Sequence, residues 1–291
     1  MTIAASHSAL GTTLLKLGRV SNLPTVWTNV LAGTVLAGGD WRDWRTGTVI
    51  LAMSLFYVGG MYLNDYFDRG IDARERPERA IPAGKITSQT VLALGGAMLG
   101  VGVLLMATAG TPAALAGVLL AAAVVAYDTF HKGNPVAPVV MGLCRALVYC
   151  GAAAAAVGHV SAEVAIAAGA IMAYVAGLTY AARQESLDRV GNLWPLLVLA
   201  APMVLALPAL RNGLGAAVIF LALIAATAYA IYLLAKRPMP GAVPRAVGWL
   251  IAAISLVDAA LLASVGELGV AMLAVLGFPA TLALQRTIPG T

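Results

Sequence analysis

The sequence predicts an all-α, polytopic membrane protein built as a bundle of nine or ten transmembrane helices. Apolar residues make up 60% of the 291 residues and charged residues 11%. The mean hydropathy is +0.88, far outside the range of soluble globular domains. Apolar runs recur that are long enough to cross a bilayer core of about 30 Å, which needs about 20 residues. The alternating pattern of a transmembrane β-barrel is absent from the sequence. We therefore expect a single transmembrane domain over residues 1–291.

The candidate spans follow one another closely along the chain. The first fifteen residues have neither an apolar core nor a basic start, so we expect no cleavable signal peptide. Prolines lie near the starts of several spans or inside them, where a kink opens space at some cost in backbone hydrogen bonds. The ten candidate spans are residues 20–38, 46–66, 88–109, 111–128, 136–157, 162–182, 193–210, 214–235, 246–264 and 268–284.

Lysine and arginine residues concentrate in alternate connections between the spans. They cluster in residues 68–85, 131–134, 183–192 and 236–245, and they also occur before the first span. The positive-inside rule places these connections and the N-terminus in the cytoplasm, and we expect a bacterial inner membrane to hold the protein. The net charge of +5 is spread over short loops rather than gathered into a basic domain, so nucleic acid is not an expected partner.

A polar cluster, NDYFDRGID at residues 64–72, directly follows the apolar run of the second span. If the helix continues through it, Asn64, Asp68 and Asp72 lie one turn apart on one face. Mg²⁺ binds such carboxylate and amide oxygens and completes its coordination with water and substrate phosphate, while Asp65 on the adjacent face is placed to orient the ligands. A solvated helix end followed by a charged loop is the alternative. The depth of the cluster in an apolar segment favours a functional role.

Two ionisable side chains lie within later apolar spans, where an unpaired charge is costly. Arg145 lies about two turns inside its span, so we expect it to face a polar cavity, an anion or a carboxylate, with a purely structural ion pair as the alternative. Asp258 is expected to be neutral or paired, either in a cavity or in a polar contact. His131 lies in a charged connection, and we expect it to be a solvated loop residue.

Four residues of the polar cluster match a known pattern. Their spacing, N-D-x-x-D-x-x-x-D, resembles the first aspartate-rich motif of the UbiA superfamily of intramembrane prenyltransferases. The resemblance begins near residue 16 and continues at least to residue 195. It implies helices around a central cavity that opens near the cytoplasmic side, Mg²⁺ as cofactor, and an isoprenyl diphosphate and a hydrophobic or aromatic acceptor as partners. The four residues are Asn64, Asp65, Asp68 and Asp72.

Three further segments resemble elements of the same family. RPERAIPAGKIT contains Arg79, with Ala80 where the family usually has a proline. Tyr127 and Lys132 match a Y-x-x-x-x-K element, and the resemblance implies that the lysine contacts diphosphate while the tyrosine lines the cavity. A lysine that merely extends to the membrane surface is the alternative. The segment LGRVSNLPTVWTNVLAG is similar to the family's first helix and contains Arg19 and Asn29.

The segment RQESLDRVGNLWP resembles the family's second aspartate motif, D-x-x-x-D, but departs from it. Asp188 matches the second aspartate, whereas Gln184 stands at the position of the first and Glu185 lies beside it. Two carboxylate walls let two Mg²⁺ ions hold a diphosphate, so the departure bears on metal affinity, substrate choice and activity. Arg183 begins the segment and is a candidate partner for phosphate.

We therefore expect a prenyltransferase that uses Mg²⁺ to transfer an isoprenyl group from an isoprenyl diphosphate to an aromatic or lipid acceptor within the membrane. A membrane terpene cyclase of the same fold, and a non-catalytic isoprenoid or lipid binding or transport protein, are the alternatives. The expected catalytic residues are Asn64, Asp65, Asp68, Asp72 and Asp188. The expected metal ligands are Asn64, Asp68, Asp72, Glu185 and Asp188. The expected substrate-binding residues are Arg19, Asn29, Arg79, Tyr127, Lys132, Arg145, Arg183, Gln184 and Glu185.

Overall fold

The computed structural model describes residues 2–184 and 190–290, and every regular element in these two ranges is a helix. The predicted all-α class is confirmed. Short 3₁₀ turns connect or interrupt some of the α-helices. The α-helices are α1 (Thr2–Leu17), α2 (Leu23–Leu36), α3 (Trp44–Glu75), α4 (Ser88–Ala107), α5 (Thr111–Phe130), α6 (Ala137–Val157), α7 (Ala162–Ala182), α8 (Ala201–Leu205), α9 (Leu214–Lys236), α10 (Ala242–Ser264) and α11 (Leu268–Gln285).

Eight of the described helices, α3 to α7 and α9 to α11, are long and apolar enough to cross a membrane. The chain is therefore a multi-pass membrane protein. The count of nine or ten spans is not confirmed, because two predicted spans fall on shorter helices. The span predicted at 20–38 contains the 3₁₀ turn Val20–Asn22 and the 14-residue α2. The sequence pattern also gave no sign of α1, which precedes that span.

The span predicted at 193–210 is broken into three short pieces. They are a 3₁₀ helix at Trp194–Ala200, then α8, then a 3₁₀ helix at Leu207–Arg211. Each piece has a proline in its first turn. A proline has no N–H to donate and clashes with the carbonyl group four residues earlier. Three prolines at this spacing therefore prevent one continuous helix.

Helix α3 is longer than a bilayer requires. Its 32 residues extend about 48 Å at about 1.5 Å per residue, compared with a hydrocarbon core of about 30 Å. The helix starts after Asp43, whose side chain accepts a hydrogen bond from the N–H of Arg45. It continues past Gly70 and ends at Glu75. The cluster at residues 64–72 is therefore continuous helix, which is the condition under which Asn64, Asp68 and Asp72 were expected to share one face.

Small residues bring the helices close together around the centre of the bundle. A Cβ atom at Gly33 would lie 2.7 Å from the carbonyl oxygen of Tyr149, so the backbones of α2 and α6 are in near contact. Helix α10 is the most buried of the eight candidate spans, and alanines make up much of its buried surface. Ion-pair and hydrogen-bond contacts of Asp68 with Lys132 and of Arg183 with Asn134 bring the ends of α3, α5 and α7 together. Polar residues from distant parts of the chain thus meet at one end.

Candidate active site

The polar face of α3 carries Asn64, Asp68 and Asp72 on successive turns, and all three side chains are buried. Buried carboxylates at the end of a membrane span are costly unless they are paired. Their partners come from the 3₁₀ turn before α2, from the loop after α3 and from the loop after α5. The cluster is thus the centre of an ionic network rather than a solvated helix end.

Two arginines bind the outer part of this network. Nη1 of Arg79 lies 2.9 Å from Oδ1 of Asp65 and 3.7 Å from Oδ2 of Asp72. Nη2 of Arg19 lies 3.5 Å from Oδ1 of Asp65 and 3.5 Å from Oδ1 of Asn64. Charge-assisted contacts of this kind favour fixed side-chain positions. Asp65 therefore holds two guanidinium groups beside the row of oxygen atoms on α3.

Asp68 is paired with the loop that follows α5. Nζ of Lys132 lies 3.2 Å from Oδ2 of Asp68, and Nε2 of His131 lies 3.4 Å from Oδ1. The expectation that His131 is solvated is wrong, since its side chain is only 13% exposed and its ring stacks on that of Tyr127 with centroids 5.0 Å apart. Helix α5 ends at Phe130, so the chain turns there and directs the next two side chains toward α3.

Asp128, on the last turn of α5, is a member of the network that the sequence patterns did not identify. Its buried Oδ1 accepts a hydrogen bond from Nδ2 of Asn64 at 3.3 Å, which orients the amide so that its oxygen faces Arg19. Its Oδ2 has no hydrogen-bond partner within the described residues. A carboxylate at the end of an apolar span was the signal available, and it is the same signal that drew attention to Asn64.

A cavity of about 660 Å³ opens beside the network and extends between the helices. Its lining combines charged side chains of the network with apolar side chains of the surrounding helices. Helices α3, α5, α6, α7 and α10 contribute residues to its wall. Its polar lining includes Arg19, Asn64, Asp68, Arg79, Tyr127, Arg145 and Arg183. Its apolar lining includes Met61, Met141, Val175, Leu178, Val247, Ile251 and Ile254.

Arg145 lines the cavity and is held from behind by a buried polar chain. Its Nη1 donates to Oδ1 of Asn29 at 2.8 Å, and its Nη2 donates to Oγ1 of Thr25 at 3.1 Å. Nδ2 of Asn29 donates to both carboxylate oxygens of Asp258, at 2.9 and 2.8 Å. Asp258 is fully buried and also accepts hydrogen bonds from the hydroxyls of Thr28 and Tyr149. Asn29 therefore lies behind the cavity wall, where it supports Arg145.

The other residues predicted at the site fall into two groups. Arg183 lines the cavity and donates to the carbonyl oxygen of Asn134 at 2.8 Å. Gln184 is not among the described lining residues, and its Oε1 accepts from the N–H of Gly191 at 2.8 Å. Two predicted residues, Glu185 and Asp188, lie outside the described residues.

Comparison with known protein families assigns the chain to one of them. The UbiA prenyltransferase family matches residues 26–240, most of the sequence. The chain belongs to the UbiA prenyltransferase family. The matched range contains the polar cluster at 64–72 and the cavity residues of α3 and α5 to α7. Helices α10 and α11 follow it.

Several curated relatives share part of this UbiA sequence. The chain is 31% identical over 173 residues to digeranylgeranylglyceryl phosphate synthase of Halobacterium salinarum (strain ATCC 29341 / DSM 671 / R1), covering 59% of this chain and 60% of the relative. It is 32% identical over 126 residues to the synthase of the same name from Methanothrix thermoacetophila, covering 43% and 47%. The aligned part thus spans about half to three fifths of the length of these relatives.

A solved structure shares the fold. The apo structure of a UbiA homolog from Aeropyrum pernix K1 matches with a TM-score of 0.64 and 20% sequence identity, over 84% of this chain and 96% of the homolog. At this identity the likeness shows the common arrangement of helices. The predicted membership in the UbiA superfamily is confirmed by the family match.

The oxygen atoms of the polar cluster at residues 64–72 are suited to bind Mg²⁺ together with a ligand that carries phosphate. Within residues 2–184 and 190–290, no three His, Cys, Asp or Glu side chains are gathered closely enough to hold a metal ion by themselves. Mg²⁺ does not require such a group, because it usually takes one or two carboxylates and completes its shell with water and substrate phosphate. Asn64 and Asp68 line the cavity and offer such oxygen atoms, Asp72 follows one turn later on the same helix, and the unpartnered Oδ2 of Asp128 lies in the same network.

Proposed function

We propose that this UbiA family member transfers an isoprenyl group from an isoprenyl diphosphate to a lipid acceptor inside the membrane. The observation that carries the proposal is the cavity of about 660 Å³, which is lined by charged groups near the ends of α3 and α7 and, elsewhere, mainly by apolar side chains together with Arg145. An isoprenyl diphosphate has the same division between an anionic head and a hydrocarbon chain. The volume also lies in the usual range for ligand sites, about 300–1,000 Å³.

The polar end of the cavity would bind the diphosphate. Arg19, Arg79 and Arg183 line this end, and guanidinium groups match phosphate oxygens in charge and geometry. Nζ of Lys132 lies 3.2 Å from Oδ2 of Asp68, and Lys132 would act on the diphosphate through that carboxylate. The proposed ligands of Mg²⁺ are Asn64, Asp68 and Asp72, joined by Glu185 and Asp188. When bound, Mg²⁺ neutralises a diphosphate and stabilises it as it leaves.

The proposed reaction exchanges one carbon–oxygen bond for another. The bond between C1 of the isoprenyl chain and the diphosphate oxygen breaks, and its electron pair leaves with the diphosphate. The oxygen of an acceptor hydroxyl then bonds to the allylic C1, and the hydroxyl proton passes to the departing diphosphate. The apolar side chains of α7 and α10 that line the cavity would keep water away from the cation, which water would otherwise capture. Tyr127 and Arg145 line the same cavity and would orient the reactants.

A lipid is the acceptor that the relatives support best. Both are named digeranylgeranylglyceryl phosphate synthase, and a product with two chains on one glyceryl phosphate requires an acceptor that already carries one. We propose an acceptor of this class, a glyceryl phosphate lipid with a free hydroxyl group, rather than a free aromatic compound. The connections rich in lysine and arginine favour a polar end that faces the cytoplasm. These relatives are archaeal and give no support to a bacterial inner membrane, which therefore stays a prediction.

The test uses the purified protein in zwitterionic lipid vesicles with Mg²⁺, geranylgeranyl diphosphate, and a panel of lipid and aromatic acceptors. We expect pyrophosphate release only when a lipid acceptor is present, together with a product whose mass has risen by one isoprenyl unit. Pyrophosphate release without any acceptor, with a hydrocarbon or alcohol product, would indicate a terpene cyclase. Saturable diphosphate binding without release would indicate a binding protein. Either result overturns the proposal.

A further inference from the structure

A second polar pocket, of about 280 Å³, lies on the other side of Arg19 and Arg79 from the main cavity. Both arginines and Glu78 line both spaces, so they form the partition between them. Lys16, from the end of α1, and Lys85, from the loop after α3, line only the second pocket. Neither lysine was among the catalytic, metal-binding or substrate-binding residues predicted from the sequence.

The pocket has an excess of positive charge. Lys16, Arg19, Arg79 and Lys85 provide four cationic groups, whereas Asp65 and Glu78 provide two carboxylates. Asp65 is already shared between the two arginines, at 3.5 and 2.9 Å. Lys16 and Lys85 are exposed, and neither ammonium group has an ion-pair partner in the part of the chain that the structure describes. A formal charge of +2 matches a phosphate monoester, which carries about −1.5 to −2 at pH 7.

Backbone hydrogen bonds fix the loop that supplies half of these cations. The N–H of Ala83 donates to the carbonyl oxygen of Arg79 at 2.9 Å, and the N–H of Lys85 donates to that of Ala80 at 3.0 Å. Gly84 between them has a φ of +69°, a left-handed conformation that glycine adopts without strain. The loop therefore folds back on itself and presents Arg79 and Lys85 to the same pocket.

Helix α1, which supplies Lys16, is also held in place. The hydroxyl of Tyr62 on α3 donates to the carbonyl oxygen of Leu14 at 3.0 Å. A Cβ atom at Gly18 would lie 2.9 Å from the side chain of Val58, so the chain after α1 packs tightly against α3. Lys16 thus stands on an anchored element, opposite the loop that carries Lys85. The backbone on both sides of the pocket is therefore held in place, and the exposed side chains of Lys16 and Lys85 extend from these two segments.

We propose that this second pocket binds the phosphate monoester head of the acceptor lipid. The proposal rests on the proposed function and names the site of its second substrate. The partition of Arg19 and Arg79 would then contact the diphosphate on one side and the acceptor phosphate on the other. The free hydroxyl of a glyceryl phosphate lies only a few bonds from its phosphate, so a head group held here keeps the nucleophile close to the main cavity.

The test compares the double variant Lys16→Gln/Lys85→Gln with Lys236→Gln, a matched control. Lys236 is an exposed lysine at the end of α9 that lines neither space. Transfer is measured in phosphatidylcholine vesicles with a glyceryl phosphate carrying one geranylgeranyl chain, with the dephosphorylated form of that lipid, and with geranylgeranyl diphosphate. We expect the KM for the phosphorylated acceptor to rise about tenfold or more in the double variant, since hydrogen bonds to charged groups are strong. The KM values for the alcohol and the diphosphate, and all values for Lys236→Gln, are expected to stay unchanged.

An equal rise in KM for the phosphorylated lipid and for its dephosphorylated form would overturn the assignment of this pocket. An equal rise in KM in the Lys236→Gln control would overturn it as well. A loss that appears only when the vesicles contain anionic phospholipid would also overturn it, because the pocket would then bind bulk lipid head groups. Equilibrium binding of the two acceptor forms to the wild type and the double variant is measured without turnover. Absence of transfer by the wild type would therefore overturn the proposed function alone, and the binding difference would still decide the pocket.

Discussion

The buried carboxylate of Asp258 is expected to be essential for stability. It accepts hydrogen bonds from Thr28, Asn29 and Tyr149, and Asn29 in turn accepts from Arg145 at the cavity. Helices α2, α6 and α10 meet at this one group. The double contact from the amide of Asn29 also fixes which way that amide points, and so which atom faces Arg145.

The change Asp258→Ala removes the acceptor from three donor side chains at once. A buried donor left without a partner costs about 1–3 kcal/mol, and breaking a buried charged network by removing one member costs about 3–5 kcal/mol. We expect the free energy of unfolding to fall by about 3–5 kcal/mol. The expected fall is not larger because the hydroxyl of Thr28 can still donate to the carbonyl oxygen of Thr25. For a chain of this size about 1 kcal/mol shifts Tm by about 2–4 °C, so Tm is expected to fall by about 6–20 °C. Asp258→Asn keeps one acceptor oxygen and is expected to lose about 1–3 kcal/mol.

Thermal unfolding in detergent micelles, followed by tryptophan fluorescence, measures these shifts. The matched control is Thr281→Val on α11. Thr281 is also fully buried, but its hydroxyl has no hydrogen-bond partner among the described residues. Replacing an unpaired buried hydroxyl by a methyl group of the same shape is expected to leave Tm unchanged or slightly raised. If Asp258→Ala lowers Tm no more than this control does, the network does not hold the three helices together.

Other parts of the structure give three further predictions. Asp68→Ala is expected to remove both diphosphate binding and pyrophosphate release, whereas Asp40→Ala, in an exposed loop after α2, leaves both intact. If the two variants behave alike, the α3 cluster does not bind the diphosphate. Chelation by EDTA is expected to stop pyrophosphate release and added Mg²⁺ to restore it, and turnover that persists in EDTA would exclude the proposed metal dependence. Gly33→Leu is expected to lower the free energy of unfolding by about 1–3 kcal/mol or more, because α2 and α6 touch there; an unchanged Tm would contradict the close packing.

The elements that sequence predicted well are those specified by local pattern. Length and hydropathy defined most membrane spans, since a bilayer imposes one requirement on each helix separately. The spacing of Asn64, Asp68 and Asp72 placed them on one helical face because a helix repeats every 3.6 residues. Prolines inside the spans were expected to produce kinks, but the span at 193–210 was still drawn as one helix because its hydropathy is continuous; three prolines at this spacing break it into separate pieces.

The partners within the site could not be read from local pattern. Asp128 and Asn64 are 64 positions apart, and the contact between Asn29 and Asp258 spans 229 positions. Such pairings depend on how whole helices pack, which no short segment specifies. His131 illustrates the same point, since a charged connection normally faces water and only the end of α5 at Phe130 turns this side chain toward Asp68.

The cavity is lined by residues inside the family match and by residues beyond it. The charged end comes from residues inside the family match, 26–240, and from Arg19 just before it. Much of the apolar wall comes from α10, where Val247, Ile251 and Ile254 lie beyond that match. Recognition of an isoprenyl chain depends on such apolar contacts, at about 0.8 kcal/mol for each buried CH₂ group. Under the proposed function, the shared motif therefore accounts for binding of the diphosphate, while the preference for a chain length depends on a helix outside the matched region.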